Sequence, residues 1–363
     1  MMKKRYLVFL LFVIVSVLYW LFIHKNENQV IFPKFNEISS SLPVAPSIAP
    51  SFNSRKESFL FVPYWSLSNK KIESDKFDYL IYFGITADEK GIDKKDLGYK
   101  KIDEFIKLSG KDNLLAIRLT DSKINSMLLD KKDLQIKLID ESISLAKKYS
   151  FRGIVFDFEM SALSFESVIR KINSFYKDYY NSTKKNDMTF LITVYGDTFY
   201  RARPYDISEL SKYSDGIMIM AYDFHKSRGA PGPNFPLNGR ETYGYDFKTM
   251  ISDFSKRIPV EKIIVIFGLF GYDWTVDEKN QSLETAKPLS LNEIKNNFLK
   301  SCTKKDCLIT KDKESLENNI TYSDKNTKNH VVWFENESSV DLKINFLKEN
   351  KINSIGFWAY SYF

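Results

Sequence analysis

Gly153-Ile154-Val155-Phe156-Asp157-Phe158-Glu159-Met160 is the stretch on which the fold of this chain turns, an apolar run that closes on two carboxylates two residues apart. On a strand, alternate side chains share a face, so Asp157 and Glu159 point the same way with roughly 7 Å of rise between their backbones. That separation suits an acid and a helper rather than two groups sharing one proton. Ile154, Val155 and Phe156 make the run too apolar for a solvated loop, so the charges close a buried strand. The competing reading is a pair of helix caps, because acids favour helix amino ends and a helix is expected after Ser161 and Ser164.

Working outward, short β-rich runs recur at Phe59–Tyr64, Tyr79–Gly84, Leu114–Leu119, Phe190–Val194, Gly216–Met220, Lys262–Phe267 and Ser354–Trp358. Between several of them the apolar residues fall at helical spacing, clearest over Leu134–Tyr149, Phe165–Tyr180, Phe247–Arg257 and Val340–Glu349. Eight strands alternating with helices predict an α/β fold, a closed parallel (β/α)8 TIM barrel. An open doubly wound sheet is the alternative, but no Gly-rich phosphate loop follows the first strand. Strands seven and eight are separated by an oversized polar segment at about 275–330, read as an inserted subdomain or a long ordered loop. Its Cys302 and Cys307 are the chain's two cysteines. They form no zinc site without nearby histidines, and an exterior location would permit a small-loop disulfide.

With 363 residues, 44% of them hydrophobic and 15% aromatic, the chain can bury one barrel-sized core over residues 56–363. Lys3-Lys4-Arg5 precedes an apolar run from Tyr6 to Ile23, about long enough to cross a bilayer as a helix. No Ala-x-Ala cleavage signal follows, and Tyr19, Trp20, His24 and Lys25 suit an interface. Residues 1–25 therefore read as a signal anchor with its amino end in the cytoplasm and the remainder of the chain outside, a cleaved signal peptide being the alternative. Residues 26–55, rich in Ser, Asn and Pro, read as a tether. The net charge of +7 is spread as Lys interleaved with Asp and Glu, so nucleic-acid binding is not indicated, while attraction to an anionic wall polymer is allowed.

In a barrel, reactive groups gather at the carboxyl ends of the strands. Here those ends carry Pro63-Tyr64-Trp65, Asp157-Phe158-Glu159, Tyr195-Gly196-Asp197, Tyr222-Asp223-Phe224-His225, Phe270-Gly271-Tyr272-Asp273-Trp274 and Phe357-Trp358. Aromatics mixed with carboxylates suit a sugar, whose apolar ring faces stack while its hydroxyls need acceptors. Tyr64, Tyr195, Asp197, Tyr272 and His225 are candidate subsite residues, and Arg201 and Arg203 read as surface charges. No cluster implies a metal or an organic cofactor.

At these positions the chain resembles the family 18 glycoside hydrolases, the chitinase-like group, from about Phe59 to Phe363. The strand-four signature Asp-Gly-x-Asp-x-Asp-x-Glu falls on Arg152 to Glu159, the strand-six Met-x-Tyr-Asp on Met220 to Asp223, and the strand-eight tryptophan on Trp358. Met220 to His225 followed by Pro231 to Pro236 is similar to the branch holding spore-cortex and other peptidoglycan-directed glucosaminidases. The resemblance implies that Glu159 is the general acid and base, that Asp157 holds the substrate's acetamide N–H, and that Tyr222 donates to its oxygen. It further implies that Asp223 binds the sugar and Trp358 floors the ring. Catalysis would be retaining and substrate-assisted, an exception to the two-carboxylate scheme. Glu159 would need a raised pKa, which a partly dry pocket beside Asp157 would supply.

Two positions depart from the signature: Arg152 and Val155 stand where it has aspartate, so the chain of buried carboxylates behind Asp157 is missing. The expectation is a membrane-anchored hydrolase of N-acetylglucosamine-containing polysaccharide, peptidoglycan ahead of chitin. An inactive chitinase-like carbohydrate-binding protein is the alternative.

Overall fold

The computed structural model describes residues 57–68, 72, 74–110, 113–160 and 163–363. The expected membrane anchor (1–25) and tether (26–55) lie outside the described residues, among which no helix is long and apolar enough to cross a membrane.

The eight expected strands are present: β1 (Ser58–Pro63), β2 (Tyr79–Ile85), β3 (Asn113–Leu119), β4 (Gly153–Phe158), β5 (Thr189–Tyr195), β6 (Gly216–Ala221), β7 (Ile263–Gly268) and, after an insertion holding β8 to β12, β13 (Ser354–Trp358). They pair in parallel in the order β1-β13-β7-β6-β5-β4-β3-β2, and pairing of Ser58 with Ile355 closes the barrel. The open-sheet alternative is thereby excluded. Both faces of these strands are buried, which is why they read as continuous rather than alternating apolar runs. Period-two geometry still sorts their side chains: Phe59, Phe61, Val155, Leu191 and Met218 fill the barrel, while Leu60, Val62, Ile154, Phe156 and Phe190 meet the outer helices.

The helices of six or more residues are α1 (Ile102–Ser109), α2 (Ser122–Asp130), α3 (Lys132–Lys148), α4 (Glu166–Lys184), α5 (Ile207–Lys212), α6 (Phe247–Ser255) and α7 (Glu337–Glu349). Asp121, Asp206, Asp246 and Asn336 cap α2, α5, α6 and α7 by accepting first-turn backbone N–H groups. α4 begins behind Phe165 with no side-chain cap, so Asp157 and Glu159 are not its capping residues.

The segment between β7 and β13 is a five-stranded antiparallel sheet. Its strands are β8 (Phe270–Val276), β9 (Lys287–Ser290), β10 (Lys305–Lys311), β11 (Asn318–Ser323) and β12 (Asn329–Phe334), in the order β9-β8-β12-β11-β10. It opens at Phe270, so Tyr272, Asp273 and Trp274 belong to the inserted sheet and not to the end of strand seven. Sequence missed the break because the apolar run continues through Leu269, the sole residue between β7 and β8. Cys302 and Cys307 are disulfide-bonded, their Cα atoms 6.4 Å apart.

A buried ionic group joins the inserted sheet to the barrel. Lys343 of α7, fully buried, lies 2.9 Å from Glu317 and also contacts Glu335, both buried as well. Glu317 precedes β11 and accepts the backbone N–H groups of Asn234 (2.6 Å) and Phe235 (2.9 Å) in the loop after β6. Asn234 in turn accepts the N–H of Asp223 at 2.8 Å and donates to the carbonyl of Gly268 at 3.0 Å. The loop that follows the strand-six motif is thus fixed from beneath by the insertion.

Candidate active site

Asp157, inward-facing near the end of β4, and Glu159, just beyond it, open into a cavity of about 350 Å³ at the carboxyl end of the barrel. Tyr195, Asp197, Tyr222, Asp223, Tyr272 and Trp358 line the same cavity, so eight of the ten candidate residues meet there. Tyr64 and His225 are not among the lining residues. Tyr64 stands edge-on to Trp65 at 5.0 Å, and it is Trp65, 46% exposed, that reaches the cavity. His225 donates its Nδ1–H to the Pro233 carbonyl (2.8 Å) and packs on Gly232, where a Cβ would strike its ring, so it steadies the loop.

Of the two carboxylates, Asp157 is the more deeply buried. Asp157 is 2% exposed while Glu159 is half-buried. Below Asp157 on the same inward face lies Val155, packed with Phe59, Ala116 and Met218, so the floor under the carboxylate is dry. Burial first, and the charge of Glu159 second, push the Asp157 carboxyl up to about 7, against the Thr193 hydroxyl that donates to it and the Arg118 guanidinium nearby. Tyr195 donates to Glu159 at 2.6 Å, which occupies one carboxylate oxygen and fixes the side chain. Burial raises the Tyr222 hydroxyl well above the usual phenol range, so it is a donor at any physiological pH.

Asp223 sits in the left-handed region at φ 57°, which aspartate tolerates better than most residues. Its backbone N–H is held by Asn234 and its carboxylate accepts from Tyr272 at 2.8 Å. Burial raises its pKa against that donation. Trp358 forms an apolar wall with Phe83 (4.8 Å), Phe61 (5.7 Å) and Tyr222 (6.4 Å). Acid, acceptor, donor and aromatic surface thus share one cavity of a size that suits a small ligand.

Sequence reading passed over Trp65, Arg118, Thr193 and Lys226. Thr193 and Arg118 lie inside strand runs, where nothing but period-two phase would have turned them inward; Trp65 and Lys226 were passed over beside Tyr64 and His225. Arg201 is exposed, as expected of a surface charge, but Arg203 is not; both pair with buried Asp197, Arg203 at 3.1 Å, and Arg203 also stacks on Tyr195 at 4.0 Å. Lys226 stands 5.2 Å from the Tyr195 ring and has no ion-pair partner among the described residues. The same residues contain no His, Cys, Asp and Glu group arranged to hold a metal ion.

Comparison with known proteins gives the same direction as the geometry. An uncharacterized glycosylase of Bacillus subtilis, YvbX, is 30% identical over 219 residues, 59% of this chain and 58% of that protein. A cortical fragment-lytic enzyme of Bacillus anthracis is 25% identical over 293 residues, 77% of this chain and 64% of that protein. The chain thus spans under two thirds of the length of these curated relatives. The class V chitinase of Nicotiana tobaccum shares the fold with a TM-score of 0.71 at 14% identity, covering 85% of this chain and 95% of its own. The sequence profile of Glycosyl hydrolases family 18 matches residues 58–362, from the first barrel strand to beyond the last and through every residue that lines the cavity, and the chain belongs to that family.

Proposed function

We propose that this glycosidase cleaves β-linked N-acetylglucosamine-containing polymers by retaining, substrate-assisted catalysis, with peptidoglycan ahead of chitin. The observation that carries the reading is the convergence of Asp157, Glu159 and Tyr222 on one cavity walled by Trp358. Glu159 gives its proton to the glycosidic oxygen as the C–O bond breaks. The sugar's own acetamide oxygen closes on the anomeric carbon, its N–H held by ionised Asp157 and its oxygen by Tyr222. Water then opens the cyclic cation and returns a proton to Glu159, leaving the product with the substrate's β configuration. Asp223 and Tyr272 bind the ring and Trp65 extends the aromatic surface.

The preference for peptidoglycan rests on Lys226. Tyr195 touches Glu159, and Lys226 lies over Tyr195, so this cation stands near the proposed acid, where we place the leaving sugar. An unpaired cation there suits a carboxylate on that sugar, which the lactyl ether of N-acetylmuramic acid carries and chitin lacks. The full-length protein is incubated with peptide-free glycan strands and with chitin hexamer, and products are followed by reducing ends and by proton NMR of the first anomer. The β anomer is expected first; initial release of the α anomer would end the substrate-assisted reading. Lys226→Met is expected to lower kcat/KM on the acidic strand relative to chitin about ten-fold, the scale of one charge-assisted hydrogen bond. An unchanged ratio would remove the argument for the acidic glycan.

Anchoring to the membrane by Tyr6–Ile23, with the barrel outside the cytoplasm, belongs to the same proposal. It is supported by the basic residues before that run and the tether after it. Extraction of the protein from membranes by alkaline carbonate, without detergent, would count against it.

A further inference from the structure

Among charged groups in the cavity, Arg118 has no counterpart in the reaction as described. It projects from β3 in register with Asp157 on β4, strands roughly 4.8 Å apart in the hydrogen-bonding direction. Its side chain is 17% exposed, with Asp96 3.6 Å away and the rings of Tyr64 and Phe83 at 5.7 and 6.0 Å. Its Nε–H is buried without a partner. Burying a guanidinium this far is costly and needs a compensating interaction.

Asp96 supplies one such interaction, and the guanidinium also acts electrostatically on Asp157, its register partner on β4. From just beyond β4 Glu159 opposes ionisation of Asp157, and from the loop after β6 Asp223 adds a further negative charge to the cavity. From α4 and the loop after β5, Tyr176 and Tyr205 are neutral, as is Tyr222 just after β6. From β5 only the Thr193 hydroxyl favours the charged form, and beneath lies Val155 in place of a carboxylate that could share a proton. Arg118 is therefore the single cation facing the buried carboxylate from any strand packed on it, among the described residues.

We propose that Arg118 is a positioning residue that holds Asp157 ionised, supplying from the neighbouring strand the control over its proton that the missing buried carboxylates would exert from below. The loss of Asp at position 155 and the presence of Arg at 118 are then two halves of one arrangement. Ionised Asp157 is the form that accepts the acetamide N–H, so this inference rests on the proposed mechanism for its catalytic consequence. Its electrostatic content stands apart from turnover.

The test uses two readouts on full-length wild type, Arg118→Gln and Arg118→Lys. The first is the carboxyl 13C shift of labelled aspartate against pH, with Asp157 assigned by its loss in Asp157→Asn. The second is the acidic limb of kcat/KM on glycan strands. An opposite charge within about 4–6 Å moves a carboxyl midpoint by about one to three pH units. Arg118→Gln is expected to move the Asp157 midpoint upward by about one unit or more and to carry the acidic limb with it. Arg118→Lys, which keeps the charge, is expected to recover most of the shift in both. A midpoint unmoved in Arg118→Gln would overturn the proposal, and so would a moved midpoint with an unmoved acidic limb. A wild type that cleaves no glycan would defeat the mechanism, while the titration would still decide whether Arg118 governs the Asp157 proton.

Discussion

Glu159→Gln is expected to reduce glycan hydrolysis by about 10²–10⁴-fold while leaving glycan binding in place, the range a positioned general acid contributes. Glutamine preserves the shape of the side chain and can still accept the hydrogen bond that Tyr195 gives at 2.6 Å. It has no proton to pass to the leaving oxygen and no carboxylate to take one from water, so both halves of the reaction fail together. Single-turnover release of reducing ends, paired with calorimetric binding of the same oligomer, separates the two properties. A variant that turns over at the wild-type rate would move the acid role to another residue. Wild type and variant that bind alike and release nothing would favour the carbohydrate-binding alternative that Arg152 and Val155 raised.

Lys343→Met is expected to destabilise the fold by about 3–5 kcal/mol, the cost of removing one partner from a buried ionic group. Methionine fills the space of the lysine stem, so the loss measures charge rather than volume. Glu317 and Glu335 would be left facing each other without a cation, 0% exposed. The pH dependence carries the sign. Burial pushes Glu335 up to about 8, so the folded state keeps a proton that the unfolded chain releases near pH 4.5. Stability therefore falls as pH rises between those values. Lys343 opposes that upward shift, so without it the midpoint climbs further and the gap between variant and wild type should widen at alkaline pH. Denaturant unfolding at pH 6 and pH 9 checks both claims, and an equal loss at the two pH values would contradict the buried-charge account. Because Glu317 holds Asn234, and Asn234 holds Asp223, a raised KM should accompany the lost stability.

The barrel was legible because its strands are buried on both faces and its helices on one. The first leaves continuous Ile, Val and Phe runs and the second leaves helical spacing, each visible in a single sequence. The residues at the strand ends were legible for a related reason: a Tyr, Trp or carboxylate that closes an apolar run stands out against it. Arg118 and Thr193 stood inside their runs and could not be told from residues on the outward face. Phe270 to Trp274 read as the end of strand seven because one residue, Leu269, separates two strands that belong to different sheets. Tyr64 was chosen over Trp65 for want of knowing which way the short helical turn at Tyr64–Ser66 would aim each ring.

Taken by itself, the order of residues determined an eight-stranded barrel, a strand-four pair of carboxylates facing one way, and a sugar as the fitting ligand, since periodicity and residue chemistry are local properties of the chain. The tertiary structure alone decided which carboxylate is dry, which cations it meets, and that the inserted sheet braces Asp223 through Lys343, Glu317 and Asn234. Electric charge acts across space between neighbouring strands, and the distances that set its strength exist only once residues far apart in the chain have been packed together.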